Sequence, residues 1–313
     1  MNKLIRLYNQ NRRKFWLIII VIIFIFLVIR FFNYMAKSNN EAIKDSSSNN
    51  NYTNTIGTST TPNKSAISNT SVDKTMYQKH ENIISNFVEL CNNKEIEKAY
   101  ALLSKDCKEE LYPNVQKFKA SYYDGIFNKK RTYSIQNWQG KIYIVRFPED
   151  ILSTGKVNSS STIQDYITIV TEDENQKLNI NSYIGKEQIN KEFEQNNIKI
   201  KVTNKKSYMD YEIYDFEIEN NIGDTIIMDP LVSTNTIFLT DSKGIKHYAI
   251  TNEIVKDEII VKNTYRNKFS IKFDNPYIEG RTIEKITFEN IAVGYGKNGS
   301  GAYKKIIKYS MNL

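Results

Sequence analysis

YEIYDFEIENNIGDTI, residues 211–226, sets Tyr, Ile and Phe at close intervals from Tyr211 to Ile218 and then stops in turn residues, Asn220-Asn221 and Ile222-Gly223-Asp224. The run predicts a strand and its end a turn. The same grammar repeats on both sides. Ile198 to Val202, Thr236 to Leu239, His247 to Ile250, Lys268 to Phe273, Ile283 to Phe288 and Lys304 to Tyr309 are further short β-runs, punctuated by Asp241-Ser242-Lys243-Gly244 and Asp274-Asn275-Pro276. About seven strands within residues 189–313 predict an all-β sandwich.

Upstream, residues 76–188 change period. Ile83, Ile84, Phe87, Val88, Leu90 and Cys91 form one helical stripe, and Ile96, Ala99, Tyr100 and Leu103 form a second. Val115, Phe118, Tyr122 and Ile126 form a looser third. Asn92-Asn93 breaks the first from the second, and Pro113 lies near the start of the third, where a helix accepts proline. Four β-runs follow, Tyr133 to Trp138, Ile142 to Phe147, Tyr166 to Val170 and Leu178 to Ile184. Three short helices followed by an antiparallel meander predict an α+β unit with its sheet wrapped over the helices.

Residues 35–75 are dominated by Ser, Asn and Thr and predict a disordered linker, because they hold too little apolar surface to offset the entropy of ordering. Before them, residues 15–34 begin with the apolar run FWLIIIVIIFIFLVI and are about as long as a bilayer-spanning helix. Lys3, Arg6, Arg12, Arg13 and Lys14 precede the run with no acidic residue, which predicts a cytoplasmic basic tail at 1–14, a single-pass anchor, and the remaining domains outside the cell. A cleaved signal peptide is the alternative, disfavoured by the length of the apolar core and by Tyr34 before Met35-Ala36. Residues 1–37 hold seven of the 43 Lys and Arg and none of the 35 Asp and Glu, so the remainder has 36 basic and 35 acidic residues. The basic isoelectric point of about 9.1 is then a signal of topology, and nucleic acid is not an expected partner.

The segment FVELCNNKEIEKAYALLSKDCKEEL, residues 87–111, with the aromatic third helix and four strands behind it, resembles the nuclear transport factor 2-like superfamily. Ala99, Tyr100, Leu102, Leu103 and Ser104 carry the motif. The resemblance implies a cone whose curled sheet and helices enclose a pocket. Enzymes of that superfamily use an Asp with a Tyr, an Asp–His pair or an Asp-Arg-Asp set. No histidine lies between Glu81 and Lys246 and no inward pair of carboxylates is evident, so no catalytic residue is assigned. Residues 198–313, by YEIYDFEIENNIGDTI, TDSKGIKHY, Phe273, Asn275 and Pro276, resemble the immunoglobulin-like extracellular domains of uncharacterised Firmicute membrane proteins and lipoproteins. The order of tail, anchor, linker and cone is also similar to scaffold subunits of conjugation and type IV secretion systems, although those usually carry two cones.

Few residues suggest chemistry. Gly294, Gly296 and Gly299 match G-x-G-x-x-G but lead toward a β-run where a dinucleotide site needs a helix, so a loop is expected and no cofactor. His80 and His247 lie in different domains without metal-ligand spacing, and Asp224, Asp229, Asp241 and Asp257 read as turn caps, so no metal is expected. Arg146 shares a face with Ile142 and Ile144. If that face lines the cone, Arg146 forms a pocket for an anionic ligand with Tyr122, Tyr133 or Tyr166, and otherwise it is a solvated strand charge. Cys91 and Cys107 are expected as buried apolar residues, a disulfide requiring a helix break near Ser104.

The expected function is a non-enzymatic, membrane-anchored binding or scaffold protein of the cell envelope. Its expected partners are the lipid bilayer, through the anchor, and an extracytoplasmic protein or the cell wall. A subunit of a conjugation or secretion apparatus is the alternative. An anchored enzyme is a third reading, which requires a buried acid among residues 131–184.

Overall fold

The computed structural model describes residues 74–148, 162–295 and 303–313, all within one compact unit. Strand accounts for 47% of the described residues and helix for 23%. Two apolar cores are present, one beneath the helices and one between two sheets.

Helix α1, Lys74–Asn92, buries Tyr77, His80, Ile84, Phe87, Val88 and Cys91, spaced at close to 3.6 residues. It ends where Lys94 turns into the left-handed region, at φ 63°. Short helices α2 (Ile96–Ala101), α3 (Lys105–Glu110) and α4 (Val115–Phe118) follow. Ser104 Oγ caps α3 by accepting from Cys107 N at 2.9 Å, and Asn114 Oδ1 caps α4 by accepting from Lys117 N at 2.8 Å. A π-helical turn, Lys119–Tyr123, inserts an extra residue and lets Tyr122 and Tyr123 both turn inward. The loose spacing of the third stripe has that cause.

Strands β1 (Ser134–Gln139), β2 (Ile142–Phe147), β3 (Ile163–Glu172) and β4 (Asn175–Asn179) form an antiparallel meander in chain order. Ile135, Tyr143, Val145, Phe147, Ile167, Ile169 and Leu178 pack from it against the helices. His80 is buried in the same core, its Nδ1 2.8 Å from the Tyr143 hydroxyl, and burial, then Lys141, lowers its pKa.

Cys91 and Cys107 are free, fully buried thiols, although the helical path does break at Ser104. Burial raises each thiol to about 12. Both should therefore resist alkylation in the native protein, react on unfolding, and leave the intact mass unchanged by reductant. Fast labelling of either thiol under native conditions contradicts this placement.

A long hairpin then leaves the first core for the second. Strands β5 (Tyr183–Gln195) and β6 (Ile198–Tyr208) turn at Asn196-Asn197, with φ of 54° and 59°, as a two-residue hairpin of this hand demands. Tyr183 and Tyr208 lie in the first core, and Ile198, Ile200 and Val202 in the second. Continuous strand thus crosses residue 188, where the sequence places a domain boundary, and a bulge between Gln188 and Lys191 marks the spot. β7 (Glu212–Asn220) and β12 (Arg266–Phe273) complete a sheet in the order β12-β7-β6-β5.

Facing it are β8 (Ile226–Ile227), β9 (Ile237–Asp241), β10 (Lys246–Tyr248), β11 (Ile260–Val261), β13 (Ile283–Tyr295) and β14 (Tyr303–Asn312), ordered β10-β9-β13-β8-β11 with β14 on the other side of β13. Phe216 stacks on its cross-strand partner Phe269 at 5.1 Å and meets Phe288 of the opposite sheet edge-on at 5.8 Å. Full burial of each such ring stabilises the fold by roughly 1.5–3 kcal/mol.

Three expectations are corrected here. The α+β cone is not found: strand outweighs helix two to one, and among the described residues the helices after α1 are three to six residues long. The immunoglobulin-like assignment is cut back to an all-β unit of two sheets around the second core, which is what the strand pairing shows. The single-pass membrane localisation is also unsupported. Among the described residues no helix is long and apolar enough to cross a membrane, and the predicted tail, anchor and nearly all of the linker lie outside them.

Candidate functional site

The four residues predicted to form a pocket do not converge. Tyr122 and Tyr133 belong to the first core, whereas Arg146 and Tyr166 lie on the opposite face of the meander. Tyr143, Val145 and Phe147 take the inward positions of β2, so Arg146 points away and donates to Gln136 Oε1 at 2.8 Å. Tyr166 meets Trp138 edge-on at 5.9 Å on that outer side.

Tyr122 instead finds an aspartate. Asp165 occupies an inward position of β3, in step with Ile167 and Ile169, and is only 4% exposed. Its Oδ2 accepts from the Tyr122 hydroxyl at 2.7 Å and from Asn181 N at 3.0 Å, and its Oδ1 from Ser182 N at 3.0 Å. Asn181 and Ser182 form the β4–β5 turn in left-handed geometry, at φ of 59° and 60°. The carboxylate thus holds the turn from which the long hairpin springs. Burial raises its pKa to about 6, against the pull of these donors. An acid of this kind meets the condition set for the enzymatic reading, but its lone pairs are committed to turn and helix and it lies inside a packed core. Its observed work is structural.

An open feature lies on the outer face of sheet β12-β7-β6-β5. At the Asn196-Asn197 end of these strands the outward positions are charged, and each strand carries one sign there: Arg266 and Lys268 on β12, Glu217 and Glu219 on β7, Lys199 and Lys201 on β6, Glu192 and Glu194 on β5. The strand order interleaves the signs. In register, Arg266 faces Glu219, which faces Lys199, which faces Glu194, and the next row is Lys268, Glu217, Lys201 and Glu192. Arg266 pairs with Glu219 at 2.9 Å, Lys268 with Glu217, and Lys199 with Glu192 diagonally at 2.7 Å. Hydrogen bonding to Lys268 holds the Glu217 carboxyl below its ordinary value. All of these charges except Glu194 line an open groove of about 560 Å³. Four positive and four negative groups leave no net charge.

At the helical end of this sheet, Glu110 of α3 accepts from Lys186 at 2.8 Å and pairs with Lys206 at 3.0 Å, and Lys206 reaches Asp215 at 3.1 Å. This network is largely buried and ties α3 to the hairpin.

The remaining acids that drew attention act in turns or on the surface. Asp241 Oδ1 accepts from Lys243 N and Ile245 N, both at 2.9 Å, and Asp229 Oδ1 accepts from Leu231 N at 2.7 Å. Asp224 pairs with Lys304 at 2.8 Å. Among the described residues no three His, Cys, Asp or Glu side chains form a metal-binding group. Gly294 lies in β13, where an added Cβ would stand 2.8 Å from Lys304 Cδ, and Gly296 and Gly299 lie outside the described residues.

No family model matches this chain, and no curated protein matches it. Among solved structures, the crystal structure of the yjhA protein from Bacillus subtilis is similar over 40% of this chain and 98% of that one, with 14% identity and a TM-score of 0.30. At that score the likeness carries no argument. The sequence resemblances to the two families above gain no support from these comparisons.

Proposed function

We propose that this protein is a non-enzymatic binding or scaffold module whose contact surface is the charge-alternating outer face of sheet β12-β7-β6-β5. The observation that carries this reading is the interleaving of four single-sign columns over an open groove. Such a face reads partners by the position of charge: a partner with the complementary pattern gains contacts in every column, and one shifted by a single column meets like charges throughout. The reading is tested by crosslinking the full-length protein in its native cells and identifying bound proteins by mass spectrometry. Wild type is compared with Lys201→Gln/Glu217→Gln, which neutralises one charge of each sign and leaves the net charge unchanged. The expected result is a defined set of partners lost from the variant. The same partners at the same yield on both proteins would overturn the assignment of this face.

A further inference from the structure

We propose that a second copy of this chain docks on the outer face of sheet β12-β7-β6-β5, sheet against sheet, about a two-fold axis parallel to the strands. The proposal rests on the reading of that face as a contact surface and adds the identity of the occupant. The argument is one of symmetry. Over the two rows that begin at Arg266 and Lys268, taken from β12 to β5, the columns are positive, negative, positive, negative. Turned over about an axis along the strands, the same face presents negative, positive, negative, positive. Every column then lies over one of opposite sign: β12 over β5 of the second copy, and β7 over its β6. Rotation about an axis across the strands would instead place each column on itself. An even number of alternating columns is therefore self-complementary in one orientation and self-repelling in the other, which is what an isologous interface requires. Strands running nearly parallel across the interface also match the way twisted sheets pack face to face.

The size of the face sets the strength. Four strands about 4.8 Å apart and about six residues long at about 3.4 Å each span roughly 19 by 20 Å. An area of that order belongs with weak, transient interfaces, so association should be salt-sensitive and visible only at high protein concentration.

The test is sedimentation velocity on the full-length chain at roughly 10 mM salt, where the Debye length is about 30 Å, and at about 1 M, where it is about 3 Å. Wild type should show concentration-dependent dimerisation that weakens at high salt. Lys199→Glu/Lys201→Glu gives two facing negative columns, and Glu217→Lys/Glu219→Lys gives two facing positive ones. Neither should dimerise through this face, whereas an equimolar mixture should, because each variant's altered column then faces the other's opposite charge. Thermal unfolding confirms that each variant is folded. Should either fail to fold, carbodiimide crosslinking of a mixture of ordinary and 15N-labelled wild type decides the matter, an intermolecular Lys201–Glu217 link being expected. Absence of that link, wild type without salt-sensitive association, or a mixture that associates no better than its components would overturn the proposal. Capture of a different protein through the same face would leave the preceding functional reading intact while this one fails.

Discussion

Replacing Asp165 by alanine is expected to lower the unfolding free energy by about 4 kcal/mol, since it orphans the Tyr122 hydroxyl and the Asn181 and Ser182 amides inside the core at roughly 1–3 kcal/mol each, offset in part by removal of a buried charge. Urea unfolding measures this directly. Asp165→Asn removes the titration and one turn hydrogen bond: with its amide oxygen in the place of Oδ2 it still accepts from Tyr122 and Asn181 N, while its NH2 faces Ser182 N. The folded carboxyl, raised to about 6 from 3.8, keeps its proton where the unfolded chain has lost it. Its stabilising contribution is complete below about pH 3.8 and is lost as pH rises through about 6. At 1.36 kcal/mol per pH unit, wild type should lose about 3 kcal/mol relative to Asp165→Asn across that interval. A gap that stays constant from pH 4 to 7 would show that the carboxyl titrates as it does in the unfolded chain.

Reversing an inner charge column should destabilise the fold roughly twice as much as reversing an edge column, because cross-strand pairs add up by neighbour. Lys199→Glu/Lys201→Glu on β6 turns attraction into repulsion against both β7 and β5. Glu192→Lys/Glu194→Lys on β5 does so against β6 alone. Melting temperatures at low salt should fall in that order, and about 1 M salt should bring both variants close to wild type by screening. Equal effects of the two reversals, or effects that ignore salt, would mean that the columns do not help to choose strand neighbours.

The parts of the fold that were legible in the sequence are those whose signal is local. The run Ile142 to Phe147 coincides with β2, and Ser104 and Asn114 cap helices where the helical stripes break. β5 was hidden for the opposite reason. KEQINKEFEQ, residues 186–195, is largely charged or polar, and only Ile189 and Phe193 pack on the second core. An edge strand with one face in water needs no more apolar residues than that. Asp165 was missed because β3 starts at Ile163, three residues before the expected Tyr166, so the acid seemed to precede the strand. Its alternation with Ile167 and Ile169 was the available signal. The predicted tyrosine and arginine pocket failed by one residue of phase: Arg146 shares its face with Ile142 and Ile144, and the inward face is the other one.

For the strands it showed, the sequence by itself determined which residues point to one side, since side chains alternate with a period of two, and so it set Lys199 with Lys201 on one face of β6 and Glu217 with Glu219 on one face of β7. It could not determine the order of those strands. β5, β6 and β7 are joined by short turns, but β12 arrives more than 40 residues after β7 and could have paired elsewhere. Only the tertiary structure placed it beside β7, with Arg266 and Lys268 against Glu219 and Glu217, and so turned four separately repelling rows into one neutral alternating surface. The physical reason is that alternation along a strand is covalent geometry, whereas alternation across a sheet is chosen by non-local pairing, where packing of Phe216 on Phe269 beneath and opposite charges above favour the same neighbour.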